Sequence, residues 1–560
     1  MRNHLVPLLL VAVLPAFYLA YRLGWLDRRR WRWLAAGAAA AAVLWSLPWQ
    51  GVELDYVKRI NLLIAAATAL FLLLRRLRVP WTLRRPRRLA VLTALAALAG
   101  LNYTNYFAFH GHGTRAFVHL HDVVHYYLGA KYYAELGYTD LYTAMLRAEA
   151  ELTDNRFQAI EARDLETYER VHIRALLRRS DPVKAAFTPE RWYEFQRDVD
   201  FFRRRLDGEQ YGQVLLDHGF NPTPVWAQIG GALANLVPGG SHRGILLLCL
   251  LDPLLLAVLF AAVARTFGLE TMLLAVVHFC VLFGATFGWT GGAFLRYLWL
   301  AALIVGLCCL YRRRHLAAGT LLALATALRV FPVFFVVPLA FRAAAAMWTR
   351  RTLPRRYRAL FGAFAATLAV LFALTALLPG GLGHWREFRA NMSNHVANIS
   401  PNTVGLTEAL AFQRGDRKVT EEEFAALKER RRKIYRMQLA AAFVPALLVA
   451  AWLCRRRTDL AAAALALPLL WAGLSLAAYY YVMLILLVCV HRRSPERLAL
   501  IFAAEAVPYV LMLFEDRDGL VFVYRGLALA FLFVALELPA AQRRWRQLLA
   551  SLRARRQPAA

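Results

Sequence analysis

The sequence is poor in cysteine and in acid. Its six cysteines (Cys249, Cys280, Cys308, Cys309, Cys454 and Cys489) lie in or beside apolar runs, at no spacing that fits a zinc site or a disulfide framework. They read as inert packing residues. Asp and Glu number 37 among 560 residues, against 68 Lys and Arg. There is no HExxH, and no nucleotide-binding or redox motif, which sets aside the common soluble enzyme classes. A polar majority is missing too: 59% of the chain is hydrophobic and its mean hydropathy is +0.41.

What fills the sequence instead is a series of apolar runs of 17 to 25 residues. At 1.5 Å per residue, each spans a hydrocarbon core roughly 30 Å thick. The chain therefore reads as an all-α polytopic membrane protein, because helices satisfy their own backbone in lipid. The net charge of +31 does not point to nucleic acid. Its arginines cluster in short segments between the runs: "LDRRRWRW", "RRLRVPWTLRRPRR", "YRRRH", "WTRRTLPRRYR", "CRRRTD" and "HRRSPER". That is the positive-inside pattern of cytoplasmic loops. "HLVPLLLVAVLPAFYLAYRLGW" has no basic leader and no small-residue cleavage site, so it reads as a retained first span. The Ala, Leu and Arg bias suggests a GC-rich bacterium, and hence its inner (plasma) membrane.

Five sections follow from this pattern. Residues 1–107 hold N-terminal spans at about 5–23, 33–48, 58–75 and 88–107; residues 108–221 form a long polar segment. Residues 222–378 hold central spans at about 243–264, 270–288, 293–311 and 357–378, with a broken helix over 316–341. Residues 379–435 form a second polar segment, and 436–560 hold spans near 437–454, 497–514 and 519–538, a broken run over 459–491 and a basic tail. The total is roughly 13 crossings. The 316–341 and 459–491 runs have basic flanks at both ends, so each enters and returns on one side. Proline disfavours helix at the preceding residue, which places one break near 329–332, at Phe331–Pro332. "NPTPVWAQIGGALANLVPGG" either crosses or forms a shallow hairpin. Counting spans from loop charge puts both polar segments on the non-cytoplasmic, periplasmic face. Aromatic and aliphatic residues recur at helical spacing in 108–221, which predicts amphipathic helices lying on the membrane surface. "TPER" opens one, with a Thr cap and Pro in its first turn.

The chemistry-bearing residues are few. In "HDVVHYYLGAKYY" the one carboxylate is Asp122, which with His125, Tyr126 and Gly129 falls on one helical face. It suits a general base for an attacking hydroxyl, or else a solvated helix cap. His119, His121, His125 and Asp122 are also spaced for a divalent cation, but no cofactor is required and no metal site is assigned. Arg296 and Arg329 interrupt apolar runs and need an anionic partner, such as the phosphate of a lipid carrier; snorkelling is the plainer alternative. "NHVANISPNTVGL" offers Asn394, His395, Asn398 and Asn402, whose amides suit a hydroxyl-rich ligand or simply a turn.

Five stretches resemble the GT-C superfamily of membrane glycosyltransferases, most closely family 87, which includes polyprenol-phosphate-mannose-dependent mannosyltransferases. They are "DVVHYYLGAKYYAELGYTDLY", "NPTPVWAQIGGAL", "AAGTLLALATALRVFPVFFVVPLAFR", "ANISPNTVGL" and "SLAAYYYVMLILLV". The resemblance implies a GT-C-like bundle with Asp122 as catalytic base and Arg329 on the donor phosphate, at a non-cytoplasmic site. Arg296 and His395 are expected to share the phosphate, and His125, Tyr126, Tyr133, Trp385, Asn398 and Asn402 to bind substrate. The expected partners are a polyprenyl-phosphate sugar donor, a lipid or glycan acceptor and the bilayer. The alternatives are a flippase or transporter for lipid-linked glycans, and a glycan ligase or polymerase.

Overall fold

The computed structural model describes residues 51–111, 114–397, 402–411, 429–430, 433–514 and 518–556. The expected spans near 5–23 and 33–48, and Asn398, lie outside them. The described chain is helical throughout, apart from three two-stranded pairs. Six of its helices are long and apolar enough to cross a membrane: Leu54–Arg76, His242–Phe267, Phe331–Arg350, Arg355–Thr375, Lys433–Cys454 and Leu520–Arg543. The expected total of roughly 13 is not reached by that measure. Much of the remaining apolar sequence is divided into shorter helices: Leu269–Val281, Leu298–Tyr311, His315–Leu328, Asp459–Gly473 and Ala478–His491.

These short helices make three hairpins with irregular apexes. In the first, the helix of Leu269–Val281 gives way to short turns at Phe283–Ala285 and Phe287–Thr290 before Leu298–Tyr311 resumes. In the second, His315–Leu328 stops at Arg329, whose backbone is extended (φ −150°, ψ 96°). A tight turn over Phe331–Phe335 follows, and the helix resumes at Val337–Arg350. The break falls where "RVFP" places it, since Pro332 has no N–H to give and restricts the residue before it. The third hairpin breaks at Leu474–Ala477, where Leu476–Ala477 pairs antiparallel with Thr403–Val404. The apexes touch. The Phe331 and Tyr480 ring centroids are 5.0 Å apart, and Trp299 packs on Phe331 at 5.1 Å. Gly284 lies so close to Ala478 that a Cβ there would come within 2.5 Å of it.

The other ends of the helices carry the basic segments. Arg88 and Arg75 share Glu270 at 2.8 and 3.4 Å, Arg342 meets Asp459 at 2.7 Å, and Arg457 pairs with Glu537. One end of the bundle is therefore cationic and regular, while the opposite end holds the three broken apexes.

The long polar segment packs over that second end. Its main helices are Leu141–Thr153, Pro189–Arg205 and Gly208–Leu215, beside a hairpin of Glu161–Arg163 and Arg170–His172. Thr188 caps the second as "TPER" predicts, its hydroxyl accepting the Arg191 N–H at 3.3 Å. Their apolar faces differ from expectation. Leu146, Trp192, Phe195, Phe202 and Tyr211 are buried in one shared core rather than laid on a membrane surface. A compact core removes more apolar area from water than a single layer on lipid would. A fully satisfied ion pair fastens this unit to the bundle. Lys131 Nζ donates to Asp198 at 2.9 Å, to the Tyr127 hydroxyl at 3.0 Å and to the Val237 carbonyl at 2.8 Å.

Candidate functional site at the broken apexes

Asp122 is placed by its neighbour His119. The His119 Nδ1 accepts the Asp122 N–H at 3.2 Å, and its Nε2 donates to the Gly288 carbonyl at 3.0 Å. The His119 N–H also donates to the Gly292 carbonyl at 2.9 Å. Gly292 has φ +62°, and a Cβ there would overlap the Phe117 carbonyl, so glycine is required at this crossing. Asp122 is thereby held over the first apex.

Beyond Asp122 the helix widens into a π-turn over Val124–Leu128. Such bulges occur often at functional sites. Within it, the neighbours His125 and Tyr126 point in different directions. Tyr126 points inward, its hydroxyl 3.2 Å from an Arg329 guanidinium nitrogen. His125 turns into the polar cap instead, 2.8 Å from the Tyr142 hydroxyl and 3.2 Å from the Val214 carbonyl, and is 3% exposed. The shared face expected for Asp122, His125, Tyr126 and Gly129 thus loses His125. Gly129 is pressed against the Phe220 ring.

The two arginines come from two different apexes. Arg296 forms an ion pair with Asp122, with both side chains nearly buried (12% and 14% exposed). Its guanidinium also sits over Tyr479, 5.1 Å from the ring centroid. Arg329 lies between Tyr126 and Tyr480, 5.7 and 5.8 Å from their centroids. The Nε atoms of both arginines are buried without a hydrogen-bond partner among the described residues. Behind Arg296 stands Asp252, which sequence reasoning missed. Its carboxylate accepts the backbone N–H groups of Arg296 and Tyr297 at 3.1 and 3.0 Å. The signal was present, as an acid in the apolar "LLDPLLL". Thr223, in "NPTP", ties the second apex down: its hydroxyl donates to the Ala327 carbonyl at 2.6 Å, an acceptor left open by the helix end.

The remaining expected residues divide. His395 reaches the edge of the site: its ring is 5.3 Å from that of His218, and it interacts electrostatically with Arg329. Tyr133 packs on Tyr138, Phe220 and His384, and Trp385 donates to the Thr375 hydroxyl at 2.9 Å while stacking near Phe372. Neither is in contact with the Asp122–Arg296 pair. Asn402 contributes its backbone carbonyl, which accepts the Ala478 N–H at 2.8 Å and so braces the tyrosine segment. The imidazoles spaced for a cation diverge: His119 to Gly288, His121 to Asp217 at 3.2 Å, and His125 to Tyr142.

His395 is uncharged at neutral pH. Burial, then the neighbouring His218, pushes its pKa down to about 4. It can offer a hydrogen bond to a phosphate there but no charge. Undocked, an imidazole titrates near 6.5. Between those values the undocked state binds more protons, so docking of the Gly383–Ala397 helix weakens as pH falls from about 6.5 to about 4. The full effect is of order 3 kcal/mol. Melting temperature measured from pH 7 to 4.5 should fall, and His395→Gln should flatten part of that slope. An unchanged slope in the variant would remove His395 from the account.

No curated protein and no solved structure matches this chain. A family model does match, over residues 224–469, a range that includes Asp252, Arg296 and Arg329 but begins after Asp122. The model is that of glycosyltransferase family 87, and the match lies in a chain whose described residues include six helices long and apolar enough to cross a membrane.

Proposed function

We propose that this protein transfers a sugar from a polyprenyl-phosphate carrier to a glycan or lipid acceptor at the periplasmic face of a bacterial inner membrane. The sugar is a hexose, mannose among them, or a pentose. One observation carries the proposal: two buried guanidiniums gather at the apex end of the bundle, Arg296 paired with Asp122 and Arg329 held between the Tyr126 and Tyr480 rings. Asp252 is already engaged by backbone N–H groups. An uncompensated cation buried at a membrane boundary calls for an anion. A phosphate matches the fork of a guanidinium better than any other common headgroup.

The chemistry follows from those groups. The acceptor hydroxyl attacks the anomeric carbon, and Asp122 takes its proton. The bond from that carbon to the phosphate oxygen breaks, and the electron pair leaves with the polyprenyl phosphate. Arg296 and Arg329 stabilise the charge that grows on the departing oxygen. Tyr126, Tyr479 and Tyr480 wall the arginines and keep water from them.

Orientation supports a lipid-borne donor. The described basic segments gather at the end opposite Asp122, and short cationic loops stay in the cytoplasm. The helix Pro224–Ala234 has 11 residues, a rise of ~16 Å, about half a hydrocarbon core. With that helix not counted as a crossing, every basic segment falls on the cytoplasmic side. Nucleotide sugars are cytoplasmic, so a site on the other face needs a donor carried on lipid. On that reading the polar segments 108–221 and 379–435 are both periplasmic loops, and 1–107, 222–378 and 436–560 are the membrane sections.

The test is reconstitution in proteoliposomes with a polyprenyl-phosphate mannose or pentose and a mixed envelope-lipid acceptor. Transfer from the lipid donor, with none from nucleotide sugars, is the expected result. Movement of the lipid-linked sugar across the bilayer without transfer would establish the flippase reading instead.

A further inference from the structure

We propose that Asp252 is a positioning residue for transfer, holding the strained turn before Leu298–Tyr311 so that Arg296 is aimed at Asp122 and at the donor phosphate. The inference rests on the role given above to Arg296.

Asp252 lies within an apolar span, His242–Phe267, and is 2% exposed. A carboxylate so placed is costly unless it has a task. It lies close to a guanidinium, yet its hydrogen bonds go to the Arg296 and Tyr297 backbone, one oxygen to each N–H. Those two groups sit at the start of the helix Leu298–Tyr311, where N–H groups lack partners within the helix. Capping alone would explain the bonds, but two further observations tie them to the site. Leu295, the residue before Arg296, has φ +53°, a left-handed conformation that a branched side chain adopts only when its surroundings impose it. Gly292, at φ +62°, carries the other side of the same turn against Phe117 and His119. The turn is thus pinned at one end beneath Asp122 and at the other by Asp252. Arg296 projects from its pinned end, and its Nε has no partner among the described residues to correct a misplaced side chain. Its tip is held by Asp122 and the Tyr479 ring, and the backbone from which it projects is held by Asp252.

The experiment is a double-mutant cycle on the full chain in detergent. Binding of undecaprenyl phosphate is read by native mass spectrometry, and folding by melting temperature. Asp252→Asn should weaken binding about tenfold and Arg296→Ala at least as much, with the combined variant no weaker than Arg296→Ala alone. Should Asp252→Asn fail to fold, Asp252→Glu serves: it keeps the charge but displaces the oxygens, and it should show the same coupling. Losses that multiply in the combined variant would make Asp252 a helix cap and nothing more. Binding lost in Arg296→Ala but indifferent to Asp252 would overturn this inference alone. Binding unchanged in Arg296→Ala would overturn the phosphate site itself, and Asp252's role with it.

Discussion

Replacing Asp122 by Asn should lower the rate of sugar transfer by about 10²- to 10⁴-fold, the range that a positioned general base supplies. The substitution keeps the shape and the His119 contact, because that contact is made by the Asp122 backbone N–H. It removes the carboxylate that pairs with Arg296. Arg296 then loses its charge partner, so some stability goes as well, since both side chains are mostly buried. The rate must therefore be measured per folded molecule, as initial rates in proteoliposomes after size-exclusion. Donor KM should change less than kcat, because the proton is taken only as the new bond forms. Full turnover in the Asn variant would exclude Asp122 as the base.

Arg329→Ala should cost about 10²- to 10³-fold in kcat/KM, the usual loss when one preorganised charge contact to a leaving group is removed. Stability should behave in the opposite sense. Among the described residues Arg329 has no carboxylate partner; its one hydrogen bond there is with the Tyr126 hydroxyl, and its Nε is unsatisfied. Deleting a buried cation held mainly by ring faces should leave the melting temperature unchanged or raised. Arg329→Lys should recover part of the activity only, because an ammonium is a point charge without the planar fork that stacks between Tyr126 and Tyr480. Loss of melting temperature in step with loss of activity would mark Arg329 as a packing residue.

Much of this site could be read in the linear sequence because its signals were anomalies. An arginine followed shortly by proline inside an apolar run announced the break at Arg329, and a run with basic flanks at both ends announced the hairpin that carries Tyr479 and Tyr480. Other parts could not be read. The π-turn over Val124–Leu128 is one, since no apolar periodicity encodes it. Asp252 was visible as an acid among leucines, but its partners are backbone N–H groups 44 and 45 residues away, and those carry no side-chain signature. The amphipathic pattern of 108–221 is the same whether its apolar face meets lipid or another helix. Only the packing of Trp192, Phe195 and Phe202 decides between them. Trp385, expected at the substrate because its ring suits a sugar face, donates its ring N–H to the Thr375 hydroxyl.

The three hairpins carry one more consequence. Three of their helices, Leu269–Val281, Leu298–Tyr311 and His315–Leu328, have 13 or 14 residues, a reach of ~20 Å from the cationic end, against roughly 30 Å of surrounding hydrocarbon. In the proposed orientation, with the cationic end at the cytoplasmic surface, the floor of the site would then lie below the periplasmic headgroups. A carrier whose phosphate rides at the headgroup plane must dip to meet the arginines, drawing its sugar down out of open water. Short-tailed host lipids would shallow that descent, so bilayer thickness becomes a control on turnover that acts without touching a single residue.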